Sequence, residues 1–129
     1  MATLSLQRSK QKLQADGWSV WIVERWNQFS HKRLDLFNMA DLVAIRDNRK
    51  GVTAIQACGE DVQEHVRKLM DNPYVKVWLQ AENPFFLWAW RKLGERGKRK
   101  TWELREIQFV LRNGEVVAEE NKELNRSEK

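Results

Sequence analysis

Residue types that mark several other classes of protein are scarce in this chain of 129 residues. It has one cysteine, so no disulfide can form within the chain. With only two histidines beside that cysteine, a zinc site of the usual Cys/His type has too few ligands. There is no run of about eighteen apolar residues and no short apolar segment behind a basic N-terminus. The sequence therefore predicts no membrane span and no secretory signal, and we expect a cytoplasmic protein.

Length and charge narrow the class further. At 129 residues the chain is long enough for one hydrophobic core and too short for two. We expect a single domain over residues 1–118 and a charged, disordered tail over residues 119–129, where only Leu124 is strongly apolar. The formal net charge of +5 favours an acidic partner, and nucleic acid is the commonest such partner.

Hydrophobic periodicity and turn residues predict a chain that mixes helices with strands. We expect a helix over residues 3–16 and an alternating strand over residues 18–26 whose two faces are both partly apolar and covered. Asn72 followed by Pro73 is typical of a helix start. The other predicted elements are strands 41–45 and 52–58, helices 60–70 and 73–80, strands 84–90 and 101–111, and a minor hairpin at residues 113–114.

The predicted hairpin of residues 41–58 is the most informative part of the chain. If it is symmetric, residues whose numbers sum to 97 lie opposite each other, which pairs Val43 with Ala54 and Asp41 with Gln56. Because side chains alternate along a strand, Asp41, Gln56 and Cys58 should project from one face. Two oxygen-bearing side chains at the mouth of an apolar hairpin indicate a site for a hard cation.

Three short motifs occur in a fixed order along the chain. They read E-R-W-N from Glu24, D-L-F-N-M-A-D from Asp35 to Asp41, and Q-A-C from Gln56. This order resembles the PD-(D/E)xK nuclease superfamily, in which an aspartate opens one strand and a D/E-x-K tripeptide lies on the next. It is most similar to small phage-type members with a Q-x-x variant of the tripeptide, and the similarity extends over residues 8–111. Gln56 offers an oxygen without charge, and Cys58 cannot serve as the family's lysine.

The resemblance implies both a fold and an activity. The implied fold is a restriction-endonuclease-like α/β domain with an αβββαβ core, in which helices flank a central mixed sheet. The implied activity is that of a magnesium- or manganese-dependent DNA endonuclease, structure-selective for branched DNA by analogy, in a phage or its prokaryotic host. The alternative is a nuclease-derived module that has lost catalysis and serves DNA binding or assembly. Apolar surface on the aromatic-rich strands would also allow a homodimer.

Each candidate site residue has a structural alternative. Asp41 is the expected metal ligand, and its alternative is a solvated strand end. Gln56 would assist it or else satisfy a neighbouring backbone group. Glu24, in a covered strand, needs a cation or a metal, because an unpaired buried carboxylate is costly. Asp35 is either a further catalytic acid or a plain surface acid. Cys58 is expected to be a small buried hydrophobe.

Basic residues give the candidate DNA-binding surface. The segment of residues 91–100 holds six cations and one anion between two predicted strands. His65, Arg67 and Lys68, on the helix after the site strand, are candidates to replace the missing lysine. Trp88, Trp90 and Trp102 are expected in the core, with stacking on a base as the alternative. The predicted DNA-binding residues are Lys32, Arg33, Arg67, Lys68, Arg96, Lys98, Arg99 and Lys100.

Overall fold

The computed structural model describes residues 4–93 and 101–121, apart from the side chains at positions 33 and 93. Every helix and strand expected from the sequence has a counterpart, although the expected strand 18–26 is divided. In chain order the elements are α1 (Leu4–Ala15), β1 (Ser19–Ile22), β2 (Arg25–Asn27), β3 (Lys32–Leu34), β4 (Leu42–Ile45), β5 (Thr53–Cys58), α2 (Val62–Met70), α3 (Pro73–Gln80), β6 (Phe85–Leu93), β7 (Thr101–Arg112) and β8 (Glu115–Glu120).

Local sequence signals set several element ends as expected. The chain after α1 turns at Gly17, whose φ of 92° is easily adopted by glycine. The side chain of Asn72 accepts a hydrogen bond from the Tyr74 amide, which caps α3 with Pro73 in its first turn. Asn113 and Gly114, with φ of 53° and 81°, form the tight turn between β7 and β8. None of the helices in the described ranges is both long and apolar enough to cross a membrane.

The described strands form a six-stranded mixed sheet in the order β1-β4-β5-β6-β7-β8, and β2 pairs with β3 in a separate two-stranded sheet. β5 and β6 are parallel, as the connection through α2 and α3 requires, and the other neighbours are antiparallel. Val43 lies opposite Ala54 and Leu42 opposite Ile55, so the predicted hairpin register is confirmed. The fold is therefore α/β with a mixed sheet, as expected.

Helices cover the two faces of the sheet and create two cores. α1 places Leu6 and Leu13 against a face that includes Ile55, Trp88 and Trp90. On the opposite face, α2 and α3 contribute Leu69 and Val75 to a core that includes the stacked rings of Phe85 and Phe109. Residues of β5 alternate between these cores, and this alternation decides which core each side chain of the β4–β5 hairpin faces.

The single covered strand expected over residues 18–26 is wrong. β1 ends at Ile22, and the amides of Val23 and Glu24 then donate to the carbonyl of Asp41 at 2.9 and 3.1 Å. These hydrogen bonds turn the chain across the end of β4 before β2 begins in the second sheet. One face of β1 packs on the α1 core, whereas Trp21 on the other face is 74% exposed.

At the C-terminal end, β8 runs past the expected domain boundary at residue 118. Glu119 and Glu120, which we assigned to the tail, lie in this strand. Their carboxylates pair with Arg112 and Arg105 of β7 at 3.0 and 2.9 Å. These two of the charged residues that indicated a tail are therefore cross-strand partners. The rest of the expected tail, residues 122–129, lies outside the described ranges.

Candidate active site

Three carboxylates from separate segments meet at the end of β4. Glu24 follows β1, Asp35 follows β3, and Asp41 precedes β4. Each offers one oxygen, and these oxygens all lie within 4.8 Å of one another. Asp41 is buried, and the other two are half-buried. The three acids that the sequence singled out are thus brought together.

Hydrogen bonds of its backbone and its side chain fix Asp41 at the end of the hairpin, and the backbone bonds also tie Glu24 to it. Its amide donates to the Ile55 carbonyl at 3.0 Å, and its carbonyl accepts from the amides of Val23 and Glu24. Its Oδ2 accepts a hydrogen bond from the Ala57 amide at 2.7 Å. Because β4 begins only at Leu42, the carboxylate takes the place that a backbone carbonyl would occupy opposite Ala57. This arrangement fixes the carboxylate at the mouth of the hairpin.

Asp35 is positioned by the tight turn that follows it. The Met39 amide donates to the Leu36 carbonyl at 2.9 Å, and Met39 itself is fully buried. From the start of α3, the Asn72 side-chain amide donates to the carbonyls of Phe37 and Asn38 at 3.0 and 3.3 Å. The turn is therefore anchored both in the core and to a distant helix cap, and the sequence alone gave no signal for the second anchor.

Burial and mutual repulsion make it unfavourable for all the carboxyl groups of the cluster to be ionised at once. Burial, together with the neighbouring charge of Asp35, raises the pKa of Asp41 to about 8. Burial also raises the pKa of Asp35, although the hydrogen bond with Asp41 and the charge of His65 act in the opposite direction. Asp35 and Asp41 hence share a proton near neutral pH. A bound cation would remove the need for that proton.

Gln56 and His65 form a polar pair beside this cluster. Gln56 faces the same core as its neighbours Ala54 and Cys58, the face expected for it. Its Oε1 lies 3.1 Å from Nδ1 of His65 on α2. Because a carbonyl oxygen only accepts, a hydrogen bond here requires a protonated Nδ1 that donates to Gln56 Oε1. The charge of His65 also lowers the pKa of Asp35, so one of the three candidates to replace the missing lysine lies close to the cluster.

The donor set fits a hard divalent cation. Its three converging side chains supply carboxylate oxygens only, which suits magnesium or manganese better than a soft metal. Burial first and the neighbouring acids second raise the pKa of Asp41, and a bound cation would offset both effects. Cys58 does not belong to the donor set, because burial raises the pKa of its thiol to about 11 and the side chain packs in the core. The prediction that Cys58 is a small buried hydrophobe is confirmed.

No protein-family model, curated protein or solved structure matches this chain.

Four of the eight predicted DNA-binding residues lie in the described ranges, and four lie outside them. Lys32 and Arg33 lie on β3, and Arg67 and Lys68 lie near the end of α2. Arg67 is exposed and pairs with Glu64 at 2.6 Å, so part of its charge is already compensated. The remaining four residues lie outside the described ranges: Arg96, Lys98, Arg99 and Lys100.

The stacking alternative for Trp88 and Trp90 is wrong. Both are buried, and their indole N–H groups donate to Glu106 and to the Ser9 hydroxyl at 2.8 and 2.9 Å. Trp102 is half-buried, with the Arg8 guanidinium 4.0 Å from the ring centroid. Trp21 and Phe37 are exposed aromatic residues near the acids that were not among the predicted site residues, although the alternation along β1 turns Trp21 away from Val20 and Ile22.

Proposed function

We propose that this protein is a divalent-metal-dependent DNA endonuclease whose active site is the cluster of Glu24, Asp35 and Asp41. The convergence of these carboxylates within 4.8 Å at the mouth of the β4–β5 hairpin carries the proposal. A buried acid whose pKa is raised to about 8 by burial and by another acid is typical of functional sites. The positive net charge of the chain supports a polyanionic substrate.

The topology supports the restriction-endonuclease-like core that the sequence motifs imply. α1 is followed by three strands of the mixed sheet, β1, β4 and β5, and these pair as an antiparallel meander. α2 and α3 then lead to β6, which is parallel to β5. If α3 and the small β2–β3 sheet are taken as additions, the order is αβββαβ. In this frame Asp41 opens the second core strand and Gln56 lies on the third, the places of the superfamily's motif residues.

The chain's own residues have separable roles in the proposed reaction. Asp41 and Asp35 would hold the ion with Glu24, and the hydrogen bond from the Ala57 amide would keep Asp41 in place. When bound, a divalent ion supplies charge neutralisation at the phosphate and lowers the pKa of a bound water. Gln56 orients the imidazole of His65 by accepting from Nδ1, which leaves Nε2 to exchange a proton or contact a phosphate oxygen.

The second candidate is a module that binds DNA without cutting it. It is favoured by the two positions where the superfamily has a charged acid and a lysine. Gln56 contributes no charge there and its oxygen is already bound to His65. Cys58 is a protonated, buried thiol. This candidate requires that His65 cannot take the role of the lysine.

A cleavage assay separates the two candidates. Purified protein would be incubated with linear duplex, single-stranded and four-way-junction DNA, each with magnesium, manganese or a chelator. We expect cleavage only with a divalent ion, and its loss in both Asp41→Asn and His65→Ala proteins that melt cooperatively. Binding of DNA with no cleavage in either ion would reject the endonuclease and leave the binding module.

A further inference from the structure

A groove of about 590 Å³ opens beside the acid cluster. Two stretches of chain form its walls: residues 21–25, from the end of β1 to the start of β2, and residues 34–37, from the end of β3 onward. Two of the three clustered acids, Glu24 and Asp35, are among the lining residues. Its volume is within the roughly 300–1,000 Å³ of clefts that hold small ligands. Whatever occupies the groove is therefore in contact with the proposed metal site.

The same groove carries exposed aromatic rings. Trp21 is 74% exposed and Phe37 is 48% exposed, and both line it. Large aromatic side chains contribute most when buried, so an exposed Trp21 and a half-exposed Phe37 beside an acidic site forgo stability. Arg25 is an exposed cation on the same wall as Trp21. Aromatic rings beside a cation are the elements of a single-strand binding site.

The position of Phe37 is imposed on the chain. Phe37 and Asn38 adopt φ of 53° and 56°, a left-handed conformation that is unfavourable for a bulky residue such as phenylalanine. The Asn72 side chain holds both of their carbonyls. The ring of Tyr74, at the start of α3, stacks on Phe37 with centroids 5.0 Å apart. The fold thus stabilises a strained turn that presents Phe37 at the groove.

We propose that this groove receives an unpaired nucleobase of the DNA strand whose phosphate lies at the acid cluster, with Trp21 as the stacking platform. This rests on the endonuclease proposed for the same site. In a duplex, the faces of the bases are covered by their neighbours, so an aromatic side chain can stack only on a base that is unpaired or turned out. The substrate class is therefore DNA with single-stranded character at the cleavage point.

The test compares two exposed tryptophans by equilibrium binding, measured in a chelator so that cleavage does not intervene. The probes are a fluorescein-labelled oligothymidylate and a fluorescein-labelled blunt duplex of mixed sequence. Binding of each probe is measured by fluorescence anisotropy at low salt. We expect Trp21→Ala to weaken oligothymidylate binding about tenfold, and Trp21→Phe to restore most of it. Trp26, which is 55% exposed and does not line the groove, is the matched control, and Trp26→Ala should change binding less than twofold, a difference on the order of thermal energy.

Several results would overturn the assignment. One is unchanged oligothymidylate binding by a folded Trp21→Ala protein, and another is an equal loss for the duplex. A third is a wild-type protein that is dimeric in sedimentation and becomes monomeric on Trp21→Ala with DNA binding unaltered, because the groove would then be an interface between copies. A parallel cleavage assay keeps the two proposals apart. Tenfold weaker binding without any wild-type cleavage rejects the endonuclease alone, whereas wild-type cleavage with unchanged binding rejects the groove alone.

Discussion

Two carboxylates in this protein are equally buried, and they have opposite surroundings. Glu106 on β7 and Asp41 before β4 are each 7% exposed. Glu106 accepts hydrogen bonds from the indole of Trp88 and the side chain of Asn121, both at 2.8 Å. Asp41 accepts one from the Ala57 amide, and oxygens of two further acids lie within 4.8 Å of its carboxylate. Burial alone therefore does not mark a functional acid, and the neighbours do.

The difference also separates the two faces of the sheet. Glu106 lies directly across from Trp88, on the face covered by α1, where its hydrogen bonds join β6, β7 and the residue after β8. The folded structure explains why it is there. Asp41 lies toward the other face, where an oxygen from each of two further carboxylates lies within 4.8 Å of its own. A ligand of positive charge would explain it.

The largest expected difference between Asp41 and Glu106 is in the cleavage rate after each acid is replaced by its amide. We expect Asp41→Asn to lower the cleavage rate at least about 100-fold, because ion-held charge stabilisation contributes several kcal/mol to the transition state. Titration calorimetry with manganese should show the loss of ion binding in the same protein. The matched control is Glu106→Gln, which should cleave at a rate close to that of the wild type. A folded Asp41→Asn protein with full activity would remove this site from consideration.

In a measurement of the free energy of unfolding, the order should be the opposite, with the larger effect at Glu106. Glu106→Ala should lower the free energy of unfolding by about 2–3 kcal/mol, because it leaves the buried indole N–H of Trp88 and the Asn121 amide without this acceptor. Asp41→Ala should cost less at neutral pH, since it also removes repulsion between acids. Urea denaturation of both variants provides the measurement. A larger loss for Asp41→Ala would mean that Asp41 is as structural as Glu106.

The sequence predicts those features of the acid cluster that depend on residues close together in the chain. The polar turn and the alternation of residues 41–58 set the register that places Asp41 at the hairpin mouth, and Asn72 with Pro73 sets the start of α3. These signals operate within a few residues. The approach of Glu24 depends on hydrogen bonds from residues 23 and 24 to the Asp41 carbonyl, and the turn at Phe37 depends on Asn72. Such contacts join residues that are far apart in sequence, so periodicity carries no trace of them.

Glu106 illustrates the same limit from the other side. It was not distinguishable as a structural acid, because its partners Trp88 and Asn121 are 18 and 15 residues away. Trp88 was open to a stacking interpretation for a related reason. Whether an aromatic strand residue faces solvent or a helix depends on where α1 packs, and the sequence of β6 does not contain that information.

The pH dependence of the free energy of unfolding should report the titration of Asp41. The pKa of Asp41 is about 8 in the folded protein and its ordinary value is 3.8, so the folded state binds a proton that the unfolded chain releases. Stability is therefore greatest at low pH in this window and is lost as the pH rises from about 4 to about 8. We expect a decrease of up to about 1.4 kcal/mol per pH unit between pH 5 and 8.

Chemical denaturation at several pH values in a chelator measures this slope. Asp41→Asn should flatten it. Added magnesium should also flatten it in the wild type, because the ion replaces the shared proton. A wild-type slope that survives Asp41→Asn would assign the titration to other groups.

The smallest expected effect concerns the second partner of Glu106. Asn121→Ala removes one donor from the Glu106 carboxylate while the backbone hydrogen bond from the Asn121 amide to the Glu106 carbonyl remains. Because position 121 is exposed, we expect a loss of about 0.5–1 kcal/mol in the free energy of unfolding. If the two residues act as a pair, the loss in the double variant with Glu106→Ala should fall short of the sum by a similar amount. Full additivity would mean that Glu106 is satisfied without Asn121, and the contrast with Asp41 would then rest on Trp88.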